Sequence, residues 1–157
     1  MLEKLRKAMK TADIDMLLIP SADPHGSEYP EEYFKARKHF SGFTGSAGTL
    51  LIWQGGAGLW TDGRYFIQAE RQLEGSGIDL FKMREPGVPT VDEFIAENIK
   101  GGVLGADLRT ISASEGMELE KGGAILKDCR SLIDGCWEGR PELSREPAYA
   151  LPMELAG

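Results

Sequence analysis

The segment Thr49-Leu50-Leu51-Ile52-Trp53-Gln54-Gly55-Gly56-Ala57-Gly58-Leu59-Trp60-Thr61 carries the clearest fold signal in this chain. Residues 49–53 and 58–61 are two short, mostly apolar runs, and the four residues between them include a Gly-Gly pair. Two such runs joined by a glycine-rich turn are typical of a β-hairpin, because glycine adopts the backbone angles that a tight turn requires. We therefore predict two strands joined by this turn.

Helical and extended patterns alternate on both sides of the predicted hairpin. Residues 16–19 form a wholly apolar strand that ends at Pro20, and a strand without polar alternation is usually covered on both faces. The other predicted elements are a helix with an apolar stripe over residues 2–12, a helix from Pro30 to about Phe40, a helix over residues 64–73, and strands over residues 78–83 and 103–106. This alternation predicts an α/β domain.

Two further helix starts carry a capping-box signature. Thr90 is followed three residues later by Glu93, and Ser112 is followed in the same way by Glu115. In this motif the hydroxyl and the glutamate each accept a hydrogen bond from the other residue's backbone N–H group. The two positions therefore predict well-defined helix amino termini.

The last part of the chain is less regular. Ile125-Leu126 and Leu132-Ile133 indicate either a short strand pair or a strand and a turn. From Arg140 the composition turns to Pro, Glu and Arg, which is typical of a linker. We therefore place a domain over residues 1–140 and a linker over residues 141–157.

The composition excludes several classes of protein. The length of 157 residues fits one domain, and the formal net charge is −7. An acidic chain lacks the basic face that nucleic acid requires. The negative net charge also disfavours binding to anionic membranes. No apolar run approaches the roughly 20 residues of a membrane helix, and the N-terminus does not read as a signal peptide. We expect no nucleic acid partner and no membrane partner.

The two cysteines indicate the redox compartment. Cys129 and Cys136 are too few for a disulfide framework, and two thiols in a chain of this length favour a reducing, cytoplasmic location. A bridge between Cys129 and Cys136 is the alternative.

The chain offers few groups for autonomous chemistry. His25 and His39 are its only histidines, and it has no His-Glu-x-x-His motif. For Asp23-Pro24-His25-Gly26-Ser27-Glu28 we favour a loop that satisfies its own backbone, with a metal site and a substrate or interface contact as alternatives. Gly45-Ser46-Ala47-Gly48 fails as a hydrolase elbow, because Thr44 stands where a glycine is required and the strand follows the serine.

Asp62-Gly63-Arg64 lies between the hairpin and the next predicted helix. Asp62 is a candidate cap for that helix. Arg64 then stands at the mouth of the helix, where a guanidinium can bind a carboxylate or carbonyl bidentately. A surface ion pair and a contact to a substrate or partner both remain open for Arg64.

Five segments in a fixed order resemble the N-terminal domain of Xaa-Pro aminopeptidase (aminopeptidase P), in the creatinase/prolidase group and in its longer, three-domain form. They cover nearly the whole chain. They are Asp23-Pro24-His25-Gly26-Ser27-Glu28-Tyr29, Phe40-Ser41-Gly42-Phe43-Thr44-Gly45-Ser46-Ala47-Gly48-Thr49, Leu59-Trp60-Thr61-Asp62-Gly63-Arg64-Tyr65-Phe66, Pro86-Gly87-Val88-Pro89-Thr90, and Leu132-Ile133-Asp134-Gly135-Cys136-Trp137-Glu138-Gly139-Arg140-Pro141.

The resemblance implies a fold and a parent activity. The fold is a mixed β-sheet flanked by helices with a ribonuclease-H-like motif. The complete enzyme removes the N-terminal residue from peptides whose second residue is proline. Its two divalent metal ions, usually manganese, belong to a C-terminal catalytic domain, so this domain holds no catalytic residue and no metal or other cofactor. The linker at residues 141–157 leads toward a middle domain.

The resemblance also implies a role for this domain. It covers the substrate cleft and helps to form a homodimer, with the middle and catalytic domains of the same chain and the peptide substrate as partners. In this family the arginine of the Asp-Gly-Arg-Tyr segment points toward the substrate, which implies a substrate contact for Arg64. The resemblance extends this role to His25, Glu28 and Tyr29. Two rival hypotheses stay open, an independent peptide- or subunit-binding module and a serine hydrolase that uses Ser46.

Overall fold

The predicted hairpin lies inside a six-stranded sheet. The computed structural model describes residues 1–147 and 149–155. Thr49 lies opposite Trp60 and Trp53 lies opposite Gly56, so the returning strand begins two residues earlier than predicted. The strands are β1 (Met16–Pro20), β2 (Thr49–Trp53), β3 (Gly56–Thr61), β4 (Asp79–Lys82), β5 (Val103–Ala106) and β6 (Ile125–Asp128).

One strand of this sheet runs against the others. The strand order is β4-β3-β2-β1-β5-β6. β2 is antiparallel to β1 and β3, whereas the pairs β3–β4, β1–β5 and β5–β6 are parallel. This mixed sheet confirms the predicted α/β fold class. Because the other five strands share one direction, their carboxyl ends lie at one edge of the sheet.

Helices cover both faces of the sheet. They are α1 (Leu2–Thr11), α2 (Ala36–Ser41), α3 (Phe66–Leu73), α4 (Val91–Ile99), α5 (Ala113–Lys121) and α6 (Arg130–Cys136). Leu17, Leu50 and Leu59 pack in a core with α1, α2, α3 and α6, and Leu18 and Leu51 pack in a second core with α4 and α5. Neighbouring residues of β1 are therefore buried on opposite faces, as its wholly apolar sequence predicted.

Both predicted capping boxes are confirmed. The N–H of Glu93 donates to Thr90 Oγ1 at 3.2 Å, and the N–H of Thr90 donates to the Glu93 carboxylate at 2.8 Å. Ser112 and Glu115 make the same pair of bonds at the start of α5. Each capping box is formed by residues only three positions apart, which is why the sequence alone was enough to predict it.

The predicted helix from Pro30 to Phe40 is wrong in its first half. Glu32–Phe34 form a short 3₁₀ turn, and α2 begins only at Ala36. The carbonyl of Tyr33, which an α-helix would pair with the N–H of Arg37, instead accepts from Nε and Nη2 of Arg140 at 2.9 and 2.7 Å. A contact from a residue far along the chain thus competes with the helix.

The predicted helix over residues 64–73 starts later, and Asp62 does not cap it. α3 begins at Phe66, its N-cap position is Tyr65, and no side chain caps it. Asp62 Oδ1 accepts from the N–H of Arg64 at 3.0 Å instead. The aspartate therefore closes a turn before the helix.

The region near Cys129 resolves the alternatives left open by the sequence. Ile125-Leu126 belongs to β6, but Leu132-Ile133 lies in α6, so a second strand is wrong there. Ile133 and Cys136 share one buried helix face and pack in the core that contains α1. Cys129 and Cys136 are free, buried thiols, so the alternative of a bridge is also wrong.

The segment predicted as a linker contains little regular structure. Residues 141–147 form no helix or strand, and Met153–Leu155 form a 3₁₀ turn. Ala148, Ala156 and Gly157 lie outside the described residues. The boundary at residue 140 stays a prediction. None of the helices described is long and apolar enough to span a membrane.

Candidate functional site

The candidate site is a groove at the edge where the carboxyl ends of β1, β3 and β5 meet. The start of the reversed strand β2 lies at the same edge, because Thr49 pairs with Pro20 and with Trp60. The groove encloses about 580 Å³ between the loops that follow β1, precede β2 and follow β3 and β5. Ligands of open α/β sheets bind outside the carboxyl ends of the strands, so this groove is where a ligand is expected.

An Asp-x-Arg turn holds Arg64 on the wall of this groove. Arg64 donates from Nε to Asp62 Oδ1 at 2.9 Å and from Nη2 to Asp62 Oδ2 at 2.8 Å. The same aspartate accepts the backbone N–H of Arg64. The ion pair considered from the sequence is therefore present. It fixes the guanidinium fork, while the described residues give its Nη1 no hydrogen-bond partner.

Hydrogen bonding from Arg64 changes the titration of both groups. It lowers the pKa of Asp62 to about 2, chiefly through the two guanidinium bonds. The same bonds raise the pKa of Arg64 above its ordinary value. Both side chains are therefore ionised at neutral pH, and the arginine is held in place without losing its charge.

The Asp-x-Arg turn recurs after two other strands. Arg109 donates to both carboxylate oxygens of Asp107 at 3.0 and 2.7 Å directly after β5, and Asp107 is buried. Arg130 donates from Nε to Asp128, the last residue of β6, at 2.6 Å. Arg109 lines the same groove as Arg64. Sequence reasoning missed this second groove arginine, although the repeated Asp-x-Arg spacing after apolar strands was a usable signal.

The structure brings together some of the predicted contact residues and separates others. Glu28 and Arg64 line the same groove, and Glu28 also borders a neighbouring cavity of about 270 Å³ that Tyr29 lines. Tyr29 is 80% exposed. His25 donates its backbone N–H to Asp23 Oδ1 at 2.9 Å, and no hydrogen bond within the described ranges holds its imidazole. A substrate contact by any of these residues stays a prediction.

The loop after β1 satisfies its own backbone, as the favoured interpretation of residues 23–28 predicted. Asp23 Oδ1 accepts from the N–H groups of both His25 and Ser27 at 2.9 Å. These bonds lower the pKa of Asp23, with the bond from Ser27 the largest cause. Within residues 1–147 and 149–155, no three His, Cys, Asp or Glu side chains converge on a point where they would hold a metal ion.

Ser46 has a tyrosine partner. Its hydroxyl lies 2.7 Å from the Tyr65 hydroxyl, and the Arg64 guanidinium lies 5.3 Å from the centre of the Tyr65 ring. His39 instead stacks on Trp137, with ring centres 4.4 Å apart, and burial lowers its pKa. The described residues therefore do not place a histidine base against Ser46, which the serine hydrolase hypothesis requires.

Arg37 is a second residue that sequence reasoning missed. It is 5% exposed and lines the smaller cavity. Its Nε donates to Ser21 Oγ at 2.8 Å, its Nη1 donates to the carbonyl of Phe43 at 2.6 Å, and its Nη2 donates to the carbonyl of Gly45. Arg37 therefore ties the loop between α2 and β2 (residues 42–48) to the end of β1. Its position on a helix between two lysines gave no sign that it is buried.

Comparison with known proteins agrees with this architecture. The family model of the creatinase/prolidase N-terminal domain matches residues 1–136. A protein described as a probable Xaa-Pro aminopeptidase P from Coccidioides posadasii is 42% identical across 99% of this chain and 26% of its own length. The chain thus spans about a quarter of the length of this curated relative.

Solved structures show the same relationship. An X-prolyl aminopeptidase from Caenorhabditis elegans, described as a cytosolic enzyme with a di-nuclear active site, superposes with a TM-score of 0.83 at 32% identity, over 98% of this chain and 28% of that one. An Xaa-Pro dipeptidase from Bacillus anthracis superposes with a TM-score of 0.63 at 25% identity, over 85% of this chain and 34% of that one. The family match covers the whole sheet and its helices, and on that ground this chain belongs to the creatinase/prolidase N-terminal domain family.

Proposed function

We propose that this chain acts as the non-catalytic N-terminal domain of an Xaa-Pro aminopeptidase, which removes the first residue from peptides with proline second. The observation that carries the proposal is the alignment of 99% of this chain, at 42% identity, with an aminopeptidase P. The match with the Caenorhabditis elegans X-prolyl aminopeptidase supports it.

The domain's contribution is steric and orientational. Its groove at the strand ends covers the substrate cleft, limits the size of the peptide and excludes water. Arg64 supports this role, because Asp62 holds its fork and leaves Nη1 available to a peptide carbonyl or carboxylate. Glu28 on the same groove offers a carboxylate for the peptide's amino group.

The metal ions belong elsewhere in this proposal. The described residues of this chain do not fit a dinuclear metal site, because their acidic and histidine side chains do not converge. We therefore assign the two divalent ions, usually manganese in this family, to the catalytic domain of the longer protein. Bound there, they would supply an activated hydroxide, while residues of this chain bind and orient the peptide.

Dimer formation and a cytoplasmic location complete the proposal. The Caenorhabditis elegans relative is described as cytosolic. We expect the longer protein to form a homodimer to which this domain contributes. Sedimentation of the longer protein with and without residues 1–140 tests this contribution, and an unchanged dimer after the deletion argues against it.

Arg64 gives the sharpest test of the site. In the longer protein, Arg64→Ala should raise KM for an Ala-Pro-Ala peptide about tenfold, because a charge-assisted hydrogen bond to the substrate is lost. Arg130→Ala is the matched control. Arg130 also bonds to the aspartate two residues before it, at the end of β6, but it lies outside the groove. Equal effects of the two substitutions on KM contradict the role of Arg64.

A further inference from the structure

Arg37 is a buried cation that has no carboxylate partner among the described residues. Its three hydrogen bonds go to one hydroxyl and two carbonyls, none of which carries a full charge. Burial lowers the pKa of Arg37 to about 10, which still leaves the guanidinium protonated at neutral pH. Buried charges in proteins are usually paired, so an unpaired one at the wall of a cavity suggests that the partner is a ligand.

The donors of Arg37 are not exhausted by these bonds. A guanidinium carries five N–H donors, and the three bonds use three of them, which leaves two. Arg37 lines a cavity of about 270 Å³ beside the groove. A carboxylate has two acceptor oxygens, so it matches the unused donors in number and compensates the charge.

The rest of the cavity combines positive charge with apolar surface. Lys35 and Lys38 stand on the wall with Arg37, and Glu28 is the acidic residue on that wall. Glu32 pairs with both lysines from outside the wall, at 3.8 Å for Lys38, but it leaves Arg37 uncompensated. Glu28 and Glu32 thus oppose Lys35 and Lys38, and Arg37 is the cation that no carboxylate of this wall compensates.

Apolar side chains form the other part of the wall. Tyr29, Pro30 and Phe34 lie there, and Phe34 is buried. A cavity of this volume is near the lower end of the range for small-molecule sites, so the ligand is small. The ring and proline surfaces favour an apolar body, whereas the guanidinium favours an anionic end.

We propose that this cavity binds a carboxylate carried on a small apolar body, with Arg37 as its counter-charge. The source is either a free carboxylic acid or the carboxyl terminus of a short peptide. The proposal does not require the peptidase function, because it concerns a site that this chain forms by itself.

Titration with matched acid and amide pairs tests the proposal. Phenylacetate and phenylacetamide differ in charge but not in the ring, and Gly-Phe and Gly-Phe amide make the same comparison for a peptide terminus. We expect at least one acid to shift the backbone amide resonances of residues 34–46 in the 157-residue chain, and to bind at least about fivefold more tightly than its amide. The pair that shows the larger ratio identifies the source.

A charge reversal at Lys38, an exposed residue of the cavity wall, tests the site in a variant that should fold. Lys38→Glu should weaken binding of the acid by at least about fivefold, whereas Lys10→Glu on α1 makes the same charge change away from the cavity and should weaken it less than twofold. Arg37→Lys keeps the charge but loses the planar fork, so it should also weaken binding. If Arg37→Lys does not fold, the comparison of Lys38→Glu with Lys10→Glu still decides.

Three results would overturn the proposal. They are equal affinities for the acids and their amides, equal effects of Lys38→Glu and Lys10→Glu, and tighter binding of inorganic phosphate than of either acid. A failure of peptidase assays on the longer protein leaves this titration unaffected, so the two proposals fail separately.

Discussion

Asp62 shows how a single carboxylate sets the position of a functional side chain. It accepts hydrogen bonds from the backbone N–H, Nε and Nη2 of Arg64. The same carboxylate therefore closes the turn and orients the guanidinium. The side chain of Arg64 remains 68% exposed despite this pairing. The fork is therefore ordered before any ligand arrives, which reduces the entropy cost of binding.

The titration of Asp62 tests this arrangement directly. Its pKa is about 2 in the folded protein, below the ordinary value of 3.8, because Arg64 donates to its charged form. A lowered folded-state pKa stabilises the fold above pH 4, and that contribution is lost as the pH falls from about 4 to 2. In Arg64→Ala, carboxyl NMR should show the Asp62 pKa returning toward 3.8, whereas Arg130→Ala should leave it near 2. An unchanged value in Arg64→Ala would show that the guanidinium does not cause the shift.

At the scale of elements, the hairpin depends on a glycine that packs against aromatic rings. Trp60 and Phe81 stack with their centres 4.0 Å apart on β3 and β4. A Cβ atom at Gly58 would lie 2.6 Å from the Phe81 ring and 2.7 Å from the Trp60 ring. Gly58 is therefore required by close packing, whereas the sequence alone suggested only a turn nearby.

Gly58→Ala should destabilise the domain by about 1–3 kcal/mol, because the added methyl overpacks the stacked rings. Gly55→Ala is the control, since a Cβ there meets only Trp53, at an ordinary 3.7 Å. Urea unfolding monitored by tryptophan fluorescence measures both variants. Equal midpoints for the two variants would show that the rings move aside without cost.

At the scale of the whole molecule, two arginines from distant parts of the sequence, Arg109 and Arg140, both contact the ring of Tyr33. The guanidinium carbon of Arg140 lies 3.7 Å from the centre of the Tyr33 ring, and that of Arg109 lies 5.4 Å from it. Arg140 also pairs with Asp134. These contacts join the segment around Arg140 to the segment after β1 and to the turn after β5, next to the groove.

The isolated chain should be unable to hydrolyse peptides. With manganese and Ala-Pro-Ala, we expect turnover no higher than that of a metal-only blank, because we assign both metal ions to the catalytic domain of the longer protein. A fluorophosphonate should also leave Ser46 unlabelled, since its hydroxyl is held by Tyr65 and not by a histidine. Metal-dependent turnover by the chain alone would contradict the proposed division of labour, and labelling of Ser46 would revive the hydrolase hypothesis.

Local sequence was enough for the elements whose stabilising contacts are close along the chain. The hairpin around Gly55-Gly56, both capping boxes and the apolar strand β1 depend on neighbours within a few residues or on simple burial. The ordered motifs, including Asp62-Gly63-Arg64, were enough to indicate the family, which the match over residues 1–136 confirms.

Only the folded chain could reveal features that depend on distant partners. Arg140 donates to the Tyr33 carbonyl where a helix was predicted, and Ile133 lies on the helix α6, whose buried face packs in the core that contains α1. Arg37 on α2 is buried between Ser21, 16 residues earlier in the chain, and the carbonyls of the loop that follows α2. Each outcome depends on contacts that form only once the sheet is assembled, so short-range patterns contain no record of them.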